Sequence, residues 1–217
     1  MNRGQKKQEK LVKLYRKKEG TVKKRLYRFR KNGLAGEKEL FSQMSFCILT
    51  PQSKAIYADK SVKKLQKTGI LYRGTEKEIR NCLTGVRFPN NKASYIARTR
   101  KEFTVAGNLN IKEVLNQETN IFKIREELVE RVTGYGYKEA SHFLRNTGHG
   151  KKIAILDRHI LKELKQFKVI KDIPKTINRK KYFNIEKRMK KFSEQVKIPL
   201  DALDLLFWYK ETGYFFK

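Results

Sequence analysis

The stretch F-K-I-R-E-E-L-V-E-R-V-T-G-Y-G-Y-K-E-A-S-H-F-L-R, residues 122–145, decides how the rest of the chain is read. Ile121, Ile124, Leu128 and Val132 fall on one helical face before Thr133. A second helix is expected from about residue 137 to residue 145. Between them stands Thr133-Gly134-Tyr135-Gly136. Glycines in such a turn tolerate positive φ and let a partner approach the backbone closely. The N–H groups that open the second helix face outward, where the helix dipole favours an anion. A Gly-x-Gly turn also joins many helix pairs that bind nothing, so both readings stay open at this point.

The surrounding chain is helical and basic. Among 217 residues, Lys plus Arg number 52 against 22 Asp plus Glu, a formal charge of +30. Such an excess calls for an anionic partner, and nucleic acid fits best because its phosphates bind Lys and Arg with counterion release. An anionic membrane surface is the weaker fit. The hydrophobic fraction, 39%, excludes a disordered chain. Two cysteines, Cys47 and Cys82, are too few for a four-Cys zinc site or an iron–sulfur cluster. They read as buried free thiols. The start, M-N-R-G-Q-K-K-Q-E-K, lacks the apolar core of a signal peptide. No run approaches the ~18 apolar residues of a membrane helix. A soluble, intracellular protein is expected.

Residues 1–33 carry 14 Lys plus Arg and 2 Glu. Leu11, Leu14, Tyr15, Val22, Leu26 and Phe29 recur at helical spacing. One or two basic helices are expected, with Gly20 a candidate break; they serve either as a solvated basic face or as a DNA arm. Further helices are expected over 37–50, 53–66, 90–103, 111–115, 179–196 and 200–212. Thr75 with Glu78 makes a capping box for another short one. In all, about ten helices and an all-α protein are expected.

Two residues carry candidate chemistry. Lys138 lies in the first turn of the hairpin's second helix, where the dipole's positive end works against an ammonium and favours a neutral amine. Such an amine is a nucleophile; the same lysine, solvated, would simply contact phosphate. Asp157 follows the apolar run 153–156 and stands at the N-cap position of the next helix. A carboxylate fixed there can accept a proton or stabilise positive charge on an opening sugar ring. It can also be a cap and nothing more, or both at once.

The segments G-Y-G-Y-K-E-A-S-H-F-L-R-N and I-L-D-R-H-I-L resemble the helix-hairpin-helix–Gly/Pro–Asp DNA glycosylases. More closely, they resemble the compact archaeal-type 8-oxoguanine DNA glycosylase/AP lyases. C-I-L-T-P-Q-S-K-A at 47–55 and L-D-L-L-F-W-Y-K-E-T-G near the end are similar too, so the likeness spans about residues 38–217. Thr-Gly-Tyr-Gly departs from the Pro-Gly-Val-Gly common outside that family.

The resemblance implies a two-lobed helical fold with the active site in the cleft between lobes. The expected division is a basic extension over 1–35, a discontinuous lobe of 36–50 with 151–217, and a lobe of 51–150 holding the hairpin. Lys138 and Asp157 would be catalytic. Gly134 and Gly136 would grip the DNA backbone, and the hairpin carbonyls could also hold a cation. Gln52 would sit by the space that the base leaves. Phe88 and Trp208 would sandwich the extruded base, Lys217 would reach the oxidised purine, and His142 would line the pocket or make a structural hydrogen bond. From the residues alone, Phe88 and Trp208 are equally core side chains, and Lys217 a frayed terminus.

The implied reaction excises 8-oxoguanine through a lysine Schiff base and nicks the strand by β-elimination. It needs no cofactor and no catalytic metal. The implied partner is double-stranded DNA with an oxidised guanine or an abasic site. The protein would be a monomer in the cytoplasm, associated with the nucleoid. The competing readings are a glycosylase for another damaged or mismatched base, a non-enzymatic hairpin protein that binds DNA, and a ribosomal or RNA-structural protein.

Overall fold

The N-terminal basic segment forms one helix, α1 (Arg3–Leu34). Gly20 does not break it. Its Leu11, Val22 and Phe29 are buried, so a stripe of apolar side chains turns the segment into an integral packing element. The computed structural model describes residues 3–216; Lys217 lies outside the described residues.

Among the described residues eleven α-helices follow, with one short 3-10 turn at Gly150–Lys152. They are α2 (Glu37–Leu49), α3 (Ala55–Lys67), α4 (Ile70–Arg73), α5 (Glu76–Asn81), α6 (Pro89–Glu102), α7 (Lys112–Asn116), α8 (Ile121–Arg131), α9 (Tyr137–Asn146), α10 (Arg158–Gln166), α11 (Arg179–Val196) and α12 (Leu200–Thr212). The all-α expectation holds, with one addition. β1 (Thr104–Val105) pairs antiparallel with β2 (Asn108–Leu109) in a small ribbon that periodicity did not announce. Ala106 and Gly107 supply the positive φ that so tight a turn requires. The capping box of α5 is formed, with Glu78 N–H donating to Thr75 and the Glu78 carboxylate accepting from the Thr75 N–H.

The chain divides into two compact units. One comprises α1 as far as Lys31 together with everything from Leu144 on; the other runs Asn32–Phe143. This differs from the expected division in three places, one of them the boundary after the hairpin, which falls at 143/144 rather than 150/151. The N-terminal helix is no separate extension. Gly148, at φ +86°, lets α1 run so close that a Cβ there would lie 2.9 Å from the Arg30 backbone. The Arg145 guanidinium stacks on Phe29, 4.6 Å from the ring centre. Third, α2 belongs with 32–143 rather than with 151–217. Every residue of α2 from Leu40 to Leu49 is buried, its polar Ser42, Gln43 and Ser45 included, so this helix is the axis of its unit.

Candidate active site

The hairpin forms as its sequence demands. Asn120 caps α8, its side chain accepting from the Phe122 N–H at 3.0 Å. Gly134 turns the chain at φ +85°, and an added Cβ would collide with the Tyr95 ring. Tyr135, between the two glycines, is buried and donates its hydroxyl to the Met44 carbonyl of α2 at 2.9 Å. Burial pushes this phenol well above its ordinary pKa, so it remains a donor. The helices are further tied by Tyr137, whose hydroxyl donates to Glu126 at 2.6 Å. Arg125 is fully buried between them; its guanidinium lies 5.4 Å from the Phe122 ring, 5.8 Å from the Tyr137 ring, and donates to Ser141 at 3.1 Å. Tyr135 and Arg125 were not singled out from the sequence.

The opening of α9 departs from expectation in one respect. The Gly136 N–H donates to the Glu139 carboxylate at 3.2 Å. An anion therefore already caps this helix, and a phosphate at the same N–H has to replace it.

Lys138 follows in the first turn of α9. Its side chain keeps 22% of its exposure and lies 3.4 Å from the Glu139 carboxylate. Its Nζ donates to the Thr50 hydroxyl at 3.5 Å. Thr50 is held by α2 itself, its N–H bonded to the Phe46 carbonyl and its hydroxyl to the Cys47 carbonyl. The amine is thus partly desolvated and located by a neutral oxygen and a carboxylate. His142, one turn on, is buried with its ring edge-on to Phe46 at 5.6 Å.

Just beyond Thr50 the chain makes a turn through Gln52, exposed and at φ +55°. Phe88 precedes α6, also at positive φ (+56°), and the residue is 51% exposed. Left-handed backbone at two side-chain-bearing residues costs energy, and such strain collects where function requires it. Behind both turns lies Lys92, which shares the inward face of α6 with Ile96 and Thr99. It is 4% exposed. Its ammonium donates to the Leu49 carbonyl at 2.9 Å, the Pro51 carbonyl at 2.7 Å and the Ser53 hydroxyl at 3.0 Å. Burial, and then the nearby charge of Lys138, push its pKa down to about 8.

Asp157 belongs to the other unit. The run before it, Ile153, Ala154, Ile155 and Leu156, is buried. With no strand beside it, its backbone is satisfied by side chains of α11. The Ala154 N–H donates to Glu186 at 2.7 Å, and the Tyr182 hydroxyl donates to the Ala154 carbonyl at 2.7 Å and accepts from Leu156. Asp157 then caps α10, one carboxylate oxygen accepting from the N–H groups of His159 at 2.8 Å and Ile160 at 2.9 Å. Tyr182 and Glu186, which hold the backbone leading into Asp157, were missed in reading the sequence.

Trp208 lies on α12 in the same unit, partly exposed, with its ring edge-on to His159 at 5.0 Å. His159 and Lys162 both face Glu211, at 3.8 Å and 2.7 Å, and Lys210 pairs with the buried Glu163. Lys138, Gln52, Phe88, His142 and both hairpin glycines therefore fall in one unit, and Asp157 and Trp208 in the other. Among the described residues no group of three or more His, Cys, Asp or Glu is placed to hold a metal ion. No described helix is long and apolar enough to cross a membrane.

A family model described as 8-oxoguanine DNA glycosylase matches residues 22–198. The chain belongs to this family. An 8-oxoguanine DNA glycosylase/AP lyase of Fusobacterium nucleatum is 43% identical over 210 residues, covering 95% of this chain and 96% of that protein. Among solved structures, the 8-oxoguanine DNA glycosylase of Thermotoga maritima superposes with a TM-score of 0.86 at 31% identity, covering 99% of this chain and all of the other. The Methanocaldococcus jannaschii 8-oxoguanine glycosylase/lyase in complex with a 15mer DNA containing 8-oxoguanine gives 0.85 at 34% identity, covering 95% and 99%.

Proposed function

We propose that this member of the 8-oxoguanine DNA glycosylase family excises 8-oxoguanine from duplex DNA and then nicks the strand at the resulting site. The observation that carries this reading is the mounting of Lys138. A half-buried amine opens a helix directly after the Gly-x-Gly turn, located by Thr50 and Glu139. In a chain of charge +30, that is an amine brought to a DNA backbone.

The base must leave the stack before chemistry can reach its sugar. Gly134 and Gly136 approach the phosphates, Gln52 takes the vacated space, and Phe88 and Trp208 stack on the extruded purine. Lys217 and His142 are assigned to its pocket on the resemblance alone. Lys138 attacks C1′ as a free amine. The C1′–N9 bond breaks and its electron pair leaves with the base. Asp157, fixed by two backbone N–H groups, stabilises the cationic sugar and assists proton transfer. Loss of the amine proton and ring opening give a Schiff base between Lys138 and the sugar. β-Elimination then expels the 3′ phosphate. The work is placed in the cytoplasm, on the nucleoid.

Borohydride trapping on a duplex with a single 8-oxoguanine tests this. A covalent protein–DNA adduct is expected with the unaltered chain and none with Lys138→Ala. An undiminished adduct in that variant would remove Lys138 from the chemistry.

A further inference from the structure

One buried group serves both strained turns, 51–53 and 86–88. Ser53 accepts the Arg87 N–H at 3.0 Å and the Lys92 ammonium at 3.0 Å through the same oxygen. Lys92 also holds the carbonyls of Leu49 and Pro51, either side of Thr50. Three donors thus meet three acceptors around an ammonium whose residue is 4% exposed. A lysine is rarely buried so fully. A shorter or apolar side chain would fill the space without joining the turns. Gln52 projects from the first turn and Phe88 from the second, both exposed and both in left-handed backbone. Left-handed residues persist only where surrounding bonds over-determine them.

We infer that Lys92 is a positioning residue for base extrusion: its ammonium clasps the turns of Gln52 and Phe88 into one rigid element that receives the flipped nucleotide. This rests on the roles proposed above for those two residues. The clasp borders the mount of Lys138, since Leu49 and Pro51 flank Thr50, but Thr50 has its own bonds to the Phe46 and Cys47 carbonyls and Lys138 its own contact with Glu139, none of which involves Lys92. The clasp therefore acts on the step that moves the base, and much less on attack at a sugar that has already lost its base. The charged groups facing Lys92 are Lys138 and Glu139 from α9 and Arg87 from the second turn.

The test uses the full chain and Lys92→Met, with three readouts. Single-turnover excision of 8-oxoguanine at saturating enzyme is expected to fall at least about tenfold. Borohydride trapping on an abasic duplex, and affinity for undamaged duplex, are expected to stay within about threefold. The fluorescence rise of a 2-aminopurine beside the lesion, which reports unstacking, is expected to be lost. A structural defect would lower all readouts together; equal loss of excision and abasic trapping overturns the inference, as does excision at the unaltered rate. Should Lys92→Met fail to fold, Ser53→Ala carries the test. It removes the shared acceptor and is expected to slow excision about three- to tenfold with abasic trapping retained; unaltered excision overturns the inference. Phe88→Ala and Gln52→Ala, measured alongside, separate the two failures. If they excise normally, the roles of the turns are wrong; if they fail while Lys92→Met excises normally, only the clasp is wrong.

Discussion

Lys138 and Asp157 are mounted in different ways. Around Lys138, backbone carbonyls of α2 and the turn after it take side-chain donors: Lys92 on Leu49 and Pro51, Tyr135 on Met44, Thr50 on Cys47. Two neighbouring residues, Gln52 and Phe88, are held at positive φ. Before Asp157, the leftover N–H groups of Ala154 and Leu156 are satisfied by Glu186 and Tyr182, and Asp157 itself has the ordinary extended backbone of a cap, φ −89° and ψ 178°. Left-handed backbone at side-chain-bearing residues stands in the turns beside Lys138, whereas among the described residues of the Asp157 unit it occurs only beyond the helix ends, at Lys168 and Lys197, and not at Asp157 itself. Strain requires a rigid clasp, whereas a cap needs only its helix.

The first way to break this comparison is Asp157→Asn. Asparagine caps a helix as well as aspartate, so thermal stability and duplex affinity should hold. Base excision should fall at least about a hundredfold, since the carboxylate charge is gone. Equal loss of affinity in a binding titration would make Asp157 a structural residue.

Gly134→Ala attacks the strained side. The new Cβ meets the Tyr95 ring at a φ of +85°. A loss of about 2–3 kcal/mol is expected in denaturant unfolding, with weaker duplex binding. Unchanged stability would show that the hairpin turn can relax.

Tyr182→Phe sharpens the relaxed side. It strips the bonds to Ala154 and Leu156, both buried, and should cost about 1–2 kcal/mol. Excision should slow through displacement of Asp157, while trapping on abasic DNA shows how far the carboxylate is needed once the base has gone.

Gly20→Ala is the smallest effect and lies outside both mounts. Nothing lies within 4 Å of the added methyl in the middle of α1. Stability should rise by about 0.5–1 kcal/mol, with excision unchanged. A fall would mean that α1 has a further contact at this position.

Much of this was legible in the sequence because it is local. The hairpin at 133–136, the cap at Asp157, the capping box at Thr75 and the helices of 122–145 are each decided within a few residues by backbone geometry and spacing. Lys92 was not read from the sequence. It lies four residues before Ile96, on the inward face, but a lysine at such a position ordinarily reaches outward along its flexible stem. What buried it is the end of α2 and the turn after it, some forty residues earlier in the chain, whose Leu49 and Pro51 carbonyls accept its ammonium.

The chain by itself determined the all-helical pattern, the positive charge that seeks an anionic partner, and the segments that place it among 8-oxoguanine DNA glycosylases. Tertiary structure alone decided that α1 packs against 144–216, that α2 is the axis of 32–143, and that Lys92, Tyr135, Tyr182 and Glu186 serve distant backbone. The physical reason is common to all of these. A turn or a cap is chosen by neighbours in sequence, whereas an unpaired buried carbonyl or N–H is satisfied by whichever side chain folding brings to it.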